Sequence, residues 1–304
     1  MSQQQAPDKT GRAHKTGRIT LSSTATSRVV LVTGAARGIG RAMTLGLLAA
    51  GHRVLASDID GLDDLAAAAK QQRNVDQIAT VAADVSKDES ADRLVQATID
   101  RFGRLDMLIN NAGVGPNTVR PGTSPTGDFR TVAPEDFRRI IDVNVVGPFL
   151  MTRAAVKPMV AQGWGRVINV TTSLDSMWRK GMLPYGGSKA ANEAHCCIMA
   201  AELDGTGVTV NILVPGGPVN TRLVGSSFTE AEKQKLIQPD IMVTPLLWLA
   251  SDATNATTGQ RFIAAFWDKT LPPDEAAAKC GAPMAWQQLG RQAIFPGGKG
   301  GEVH

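Results

Sequence analysis

Seven short apolar runs, spaced by longer helical patterns, constrain this chain more than any other feature. They are RVVLVT (28–33), HRVLAS (52–57), QIATVAA (77–83), DMLIN (106–110), GRVINVTT (165–172), VTVNILVP (208–215) and QRFIAAFW (260–267). Most are apolar almost throughout instead of alternating, which is the pattern of strands covered on both faces, hence of a parallel sheet with helices on each side. The segments 38–50, 60–73, 88–102, 134–161, 185–204 and 242–251 carry helical periodicity, and SKDES and APEDF supply helix starts at 86–90 and 133–137. Strand–helix alternation at this cadence predicts one doubly wound α/β domain with a seven-stranded parallel sheet over residues 28–267. Residues 1–27 are then a basic N-terminal tail and 268–304 a C-terminal extension.

Composition excludes several function classes. The formal charge of +4 is concentrated at the N-terminus, where Lys9, Arg12, Lys15, Arg18 and Arg28 face only Asp8. The body is therefore near neutral, with no basic stripe interleaved with aromatics, which argues against nucleic-acid binding. The first 27 residues lack the apolar core of a secretory signal; they weakly resemble an organelle transit peptide, and a solvated tail is the simpler reading. No apolar run reaches the ~18 residues a membrane span needs. Cys196, Cys197 and Cys280 match neither a disulfide framework nor a metal spacing, and His14, His52, His195 and His304 are scattered, so no metal is expected and the thiols fit a reduced, cytoplasmic protein.

The turn VTGAARGIGRA follows the first strand and opens a helix. Gly34, Gly38 and Gly40, with Ile39 between the last two, let the backbone turn tightly and approach a pyrophosphate, whose charge a helix N-terminus stabilises. This is the dinucleotide turn of a Rossmann-type domain, because it sits in the strand–turn–helix context that the chemistry requires. Asp58 ends the second strand eighteen residues after Gly40. A carboxylate there accepts hydrogen bonds from an adenosine ribose and repels a 2′-phosphate, which favours NAD over NADP. Arg37 pulls the other way, since a guanidinium in the glycine turn can pair with a 2′-phosphate, so NADP stays open.

The stretch PYGGSKAAN (184–192) holds the only tyrosine of the chain, Tyr185, four residues ahead of Lys189. On a helix this spacing puts both on one face. A free phenol titrates near pH 10, and an ammonium ~4 Å away would favour the phenolate by about 4 kcal/mol at an effective dielectric of ~20. Such a tyrosine could exchange a proton with an alcohol or a carbonyl near neutral pH. An exposed Tyr–Lys pair on an ordinary helix has the same spacing.

Several further motifs occur in a fixed order: Thr33, Gly34, Gly38 and Gly40 in the glycine turn, NNAG at 110–113, DVNVVGPF with Asn144, VINVTTS at 167–173, PYGGSKAA, and PGGPVNT at 215–221. Together they resemble the short-chain dehydrogenase/reductase family over residues 28–265. The resemblance implies that Tyr185 is the acid/base, that Lys189 lowers its pKa and binds the nicotinamide ribose, and that Asn144 organises a water relaying protons from Lys189. It implies a hydroxyl at the end of the fifth strand that holds the substrate oxygen. The family's usual spacing of thirteen residues before the tyrosine falls on Thr172, while the family's usual residue type, one place nearer, is Ser173; Ser173 is the first expectation and Thr172 the alternative. It further implies Asp84 and Val85 beside the adenine, Asn111, Ala112 and Gly113 along the groove, and Pro215, Val219 and Thr221 near the nicotinamide, although PGGPVNT carries one residue more than the family's PGxVxT.

The resulting expectation is an oxidoreductase moving a hydride between NAD(H) and a secondary alcohol or ketone. A non-catalytic dinucleotide sensor and an epimerase or dehydratase using the same fold are the alternatives. Met177, Trp178, Met182 and Leu183 lie between the candidate hydroxyl and the tyrosine, and suggest either an apolar, ring-containing substrate or simple loop packing. The Pro/Gly/Thr-rich stretch 113–134 is long enough to be a functional loop. The family habit of pairing the helices equivalent to 134–161 and 185–204 implies a homodimer or homotetramer. The C-terminal extension reads as a strap over a neighbouring subunit or over the pocket.

Overall fold

The computed structural model describes residues 26–72, 74–121 and 127–287. Most of the N-terminal tail and the end of the C-terminal extension lie outside the described residues, as does part of the 113–134 stretch. The strands are β1 (Val29–Thr33), β2 (Arg53–Asp58), β3 (Ile78–Ala82), β4 (Met107–Asn110), β5 (Gly165–Val170), β6 (Val208–Val214), β7 (Gln260–Ile263) and β8 (Gly281–Pro283). They form one sheet in the order β3-β2-β1-β4-β5-β6-β7-β8. The first seven are parallel and β8 pairs antiparallel with β7.

The strand count is therefore eight, not seven. The added strand is GAP, three residues ending in a proline, too short to carry a period-2 pattern. It follows the helix Pro273–Cys280, which packs Ala276, Ala277 and Cys280 into the core. The part of the extension that is described thus extends one edge of this chain's own sheet.

Each face of the sheet is covered, as the continuous apolar strands require. One core sets Leu31, Leu55, Leu108, Val167, Val210 and Ile212 against the helices Asp88–Phe102, Gly147–Ala161 and Tyr185–Glu202. The opposite face sets Val30, Val32, Val54, Ile109, Ile168 and Leu213 against the helices Gly38–Ala49, Leu62–Gln71 and Val243–Leu249. Strand order reverses between β1 and β4, whose neighbours β2 and β5 lead away in opposite directions. The crevice beyond their carboxyl ends is where an open α/β sheet takes its ligand.

The segment 134–161 is not one continuous α-helix. Helix Pro134–Ile141 passes through a π-helical turn, Asp142–Val146, before the helix Gly147–Ala161, with the Gly147 N–H donating to the Asp142 carbonyl. Pro148 explains the break: it has no N–H to give the carbonyl of Asn144, so the α-ladder cannot run through this point. Asn144 sits inside the widened turn.

Candidate active site

The glycine turn is built for close approach. Gly34 and Gly38 both have positive φ, at 62° and 51°. A Cβ on Gly40 would stand 1.9 Å from the Gly34 carbonyl oxygen, so the start of the helix Gly38–Ala49 can lie on the turn only with glycine there. Asn111 fastens this turn to β4: its Nδ2 donates to the carbonyls of Thr33 and Gly34 at 3.0 and 2.9 Å. The Thr33 hydroxyl accepts from the N–H groups of Asn111 and Ala112. Ile39 is the first residue after Gly38 in the helix, partly buried against the core. Thr221 reaches over from β6, its Cγ2 2.9 Å from where a Cβ on Gly38 would lie. Val219 is held by a bridge to Ile237, and Pro215 by the Ala265 N–H.

Asp58 closes the far end of the crevice. Its carboxylate accepts from the Ala36 N–H at 3.0 Å and the Ile59 N–H at 2.8 Å. Arg37, 3.9 Å from Asp58, is tied more tightly to Asp60 by an ion pair and by a bond to the Asp60 carbonyl at 3.3 Å. Asp84 is engaged by Ser86 and by Arg139 at 3.0 Å. Although partial burial opposes it, these bonds hold its carboxyl below the usual range. Val85 packs where a Cβ on Gly147 would be, 2.9 Å away.

The second cluster surrounds Lys189. Burial pulls its amine down to about 8, and Nζ donates to the Val170 carbonyl at 3.0 Å. Gly113 packs between Lys189 and Asn144, since a Cβ there would lie 3.2 Å from Nζ and 3.4 Å from Asn144 Oδ1. Asn144 is fully buried and its amide is spoken for: Oδ1 accepts from the Val114 N–H, while Nδ2 donates to the Val114 carbonyl and the Ser188 hydroxyl, each at 2.9 Å. The groups left for a proton relay at this position are backbone carbonyls, with the one at Asn144 released from the helix by Pro148.

Tyr185 lies one turn before Lys189. Desolvation pushes the phenol up to about 12, opposed by a side-chain hydrogen bond from Thr172. Two sequence expectations change here. The Lys189 Nζ donates to the Val170 carbonyl and lies 6.0 Å from the ring centre, and burial is the largest influence on the phenol, so its pKa rises. And Ser173 turns its Oγ to Ser176 Oγ at 2.9 Å, while the hydroxyl that pulls the phenol down is that of Thr172.

Apolar groups pack beside Tyr185. A Cβ on Gly115 would lie 3.8 Å from Tyr185 Cδ2 and 3.1 Å from Leu223 Cδ1, so the three pack together. Met177 is buried and packs the loop, while Trp178 (61% exposed), Leu183 and Phe129 stand open. Leu183 joins Phe129, Val132, Pro134, Phe137 and Arg138 along a surface groove. Among the described residues no group of His, Cys, Asp or Glu could hold a metal, and no helix is long and apolar enough to cross a membrane.

Comparison with known proteins agrees with this geometry. The short chain dehydrogenase family matches residues 28–232. A 3-oxoacyl-[acyl-carrier-protein] reductase of Synechocystis sp. is 34% identical over 78% of this chain and 95% of its own length. Fluoren-9-ol dehydrogenase of Terrabacter sp. is 32% identical over 81% of this chain and 77% of its own. Among solved structures, a protein of Beutenbergia cavernae described as an NAD(P)-dependent gluconate 5-dehydrogenase, with NADP bound at low occupancy, aligns with a TM-score of 0.68 and 28% identity, covering 78% of this chain and 94% of that one. The chain belongs to the short-chain dehydrogenase family and is an oxidoreductase of the NAD(P)-dependent kind.

Thr33, Asp60, Ser188, Glu193 and Arg261 are site or supporting residues that sequence reading did not assign. Thr33 and Ser188 lay inside quoted motifs, and their partners are fixed only once β1 meets β4 and the π-turn meets the Tyr185 helix. Asp60 carried no signal apart from its nearness to Asp58.

Proposed function

We propose that this enzyme transfers a hydride between NAD(H) and a bulky, ring-containing secondary alcohol or the matching ketone. Tyr185 handles the proton, Thr172 holds the substrate oxygen beside it, and Lys189 keeps a cation at the base of the groove. The observation that carries this reading is the convergence of the Thr172 hydroxyl, the Tyr185 phenol and the Lys189 ammonium at the carboxyl end of β5, beside the glycine turn. The residues fit a dinucleotide: the Gly34–Gly40 turn leaves room for a pyrophosphate, and Asp58 faces the ribose end. A nicotinamide held by the glycine turn and the Lys189 groove would supply the hydride chemistry and, when oxidised, a positive charge that would favour the phenolate. The protein's part is to aim the hydroxyls, exclude water with Leu223 and the 174–183 loop, and move one proton at the Tyr185 oxygen.

The exposed Trp178 and the groove carrying Leu183 and Phe129 support an aromatic or polycyclic substrate, in keeping with the name of the Terrabacter relative. A screen of fluoren-9-ol, 1-phenylethanol, acetoacetyl-CoA and their redox partners, each with NAD(H) and NADP(H), tests the reading. The expected result is net formation of reduced nicotinamide from the ring alcohols; conversion of a sugar or an acyl thioester alone would overturn the substrate class. An assembly of two or four copies through the exposed faces carrying Phe149 and Ile198 is part of the same proposal, and the elution volume on calibrated size exclusion tests it.

The preference for NAD follows from two acids, not one. Asp58 occupies the ribose position, and Asp60 holds the guanidinium that would otherwise meet a 2′-phosphate. Asp60→Asn is expected to tighten NADP binding by roughly five- to tenfold, the worth of one charge-assisted hydrogen bond, and to leave NAD binding almost unchanged. Fluorescence titration of both reduced cofactors checks it; equal effects on the two would show that Asp60 does not restrain Arg37.

A further inference from the structure

A buried ion pair lies behind the catalytic cluster, on groups that the chemistry above does not use. Glu193 is fully buried and Arg261 nearly so, with Arg261 Nε donating to Glu193 Oε1 at 2.9 Å. Removing two charges from water is costly unless every polar atom finds a partner. Here the partners come from four different elements. Glu193 stands on the Tyr185 helix, one turn beyond Lys189 and two beyond Tyr185. Its Oε2 accepts from the Thr171 hydroxyl at 3.2 Å, and its Oε1 also accepts from the Ala285 N–H at 3.2 Å. Arg261 stands on β7, and its second arm donates to the Thr172 carbonyl at 3.0 Å.

The pair therefore grips the two residues at the end of β5 by their side chain and their backbone, and joins them to the helix that carries Tyr185. Ala285 follows β8 and has φ 57°, the only positive φ of a non-glycine among the described residues. A left-handed alanine is strained by ~1–2 kcal/mol, so its conformation is imposed by what surrounds it, and the N–H so placed reaches Glu193. We propose that Glu193 and Arg261 are positioning residues that set the Thr172 hydroxyl against the Tyr185 phenol, with the strand β8 as a brace. The inference rests on the reading of Thr172 and Tyr185 given above.

Arg261 acts on Thr172 through its backbone, so the two should be coupled even though the Arg261 guanidinium does not touch the phenol. Arg261→Lys keeps the buried charge opposite Glu193 and loses the planar fork that spans both partners. Because Tyr185 is the only tyrosine, its phenolate absorbance titrates without background from a second one. The fraction ionised is read by stopped flow about half a pH unit below the wild-type midpoint, before alkaline unfolding. Thr172→Val should lower this fraction severalfold, since it deletes the hydrogen bond that favours the phenolate. Arg261→Lys should lower it in the wild-type background and have no further effect in Thr172→Val, because contacting groups are not additive.

In parallel, fluoren-9-ol turnover with NAD should fall roughly 10- to 100-fold in Arg261→Lys, as expected for a misaimed group, with NADH affinity unchanged. An unchanged phenolate fraction in Arg261→Lys, or equal losses in both backgrounds, overturns the proposal. Should Arg261→Lys not fold, Glu193→Gln is taken through the same cycle. Failure of the parent reading shows separately, as full turnover in Tyr185→Phe or in Thr172→Val, whereas the titration needs no turnover at all.

Discussion

Tyr185→Phe is expected to bind NADH as the wild type does and to lose turnover by about 10³-fold, within the range general acid–base catalysis supplies. Phenylalanine keeps the ring that fills the space beside Gly115 and deletes only the oxygen that exchanges a proton. The structure adds a direction to this result. Burial pushes the phenol up to about 12, and the Thr172 hydroxyl is the one protein group pulling it down. The base is thus held protonated by the free protein, so alcohol oxidation should quicken as pH rises from neutral, and the residual rate of Tyr185→Phe should lack that limb. A pH profile of kcat/KM, which reports groups before the substrate binds, measures it for both proteins, and a variant that retained the rise would place the titrating group elsewhere. A non-catalytic dinucleotide sensor predicts no turnover to lose, and an epimerase predicts no net reduced nicotinamide, so the same assay separates the alternatives.

The fold was legible because six of the eight strands, β1, β2 and β4 to β7, are largely buried and show as apolar runs, while β3, at the sheet edge and partly exposed, still carries a β-branched run. β8 was not, since Gly281–Pro283 owes its place to the helix before it and to the open edge of β7. At the site, the glycine turn, Asn144, Tyr185 and Lys189 are readable because each needs a particular residue type at a fixed spacing. The choice between Thr172 and Ser173 is of another kind. Successive residues at the end of β5 point to opposite sides, so Thr171 goes to Glu193, Thr172 to Tyr185, and Ser173 begins the next turn beside Ser176. Spacing and residue type point to different positions there, and the strand alternation, with the Ser173 hydroxyl taken by Ser176, favours the spacing. Glu193 and Arg261 were invisible for a related reason: in the sequence each is an ordinary charge on a helix or strand, and their burial depends on β7 and the Ala285 segment closing over them. The i,i+4 spacing of Tyr185 and Lys189 fixes a shared face and not a distance, so it could not show that burial is the largest influence on the phenol or that the ammonium donates to the Val170 carbonyl.

That ammonium gives the second large effect. Lys189→Met is expected to abolish measurable turnover and at the same time to stabilise the fold. Burial lowers the amine from an ordinary 10.5 to about 8, chiefly by desolvation. Each pKa unit is worth about 1.4 kcal/mol, so carrying this charge into the folded protein costs on the order of 3 kcal/mol at neutral pH. Loss of the bond to the Val170 carbonyl returns about 1 kcal/mol of that. Net stabilisation of roughly 1–2 kcal/mol, or ~2–8 °C in Tm for a domain of this size, is the expected outcome. The sign with pH follows from the depressed value. Below about pH 8 the amine is charged in both states and the wild type bears the whole cost; between about 8 and 10.5 the folded state has released a proton that the unfolded chain still holds, and the cost fades. The advantage of Lys189→Met should therefore be full at pH 7 and nearly gone by pH 10, when thermal melts of the two proteins are compared across that range. An advantage that grew with pH, or a variant less stable at pH 7, would show that the buried cation is compensated. On the proposed function, this charge serves the cofactor groove, which would make Lys189 a case of stability given up for function at one position.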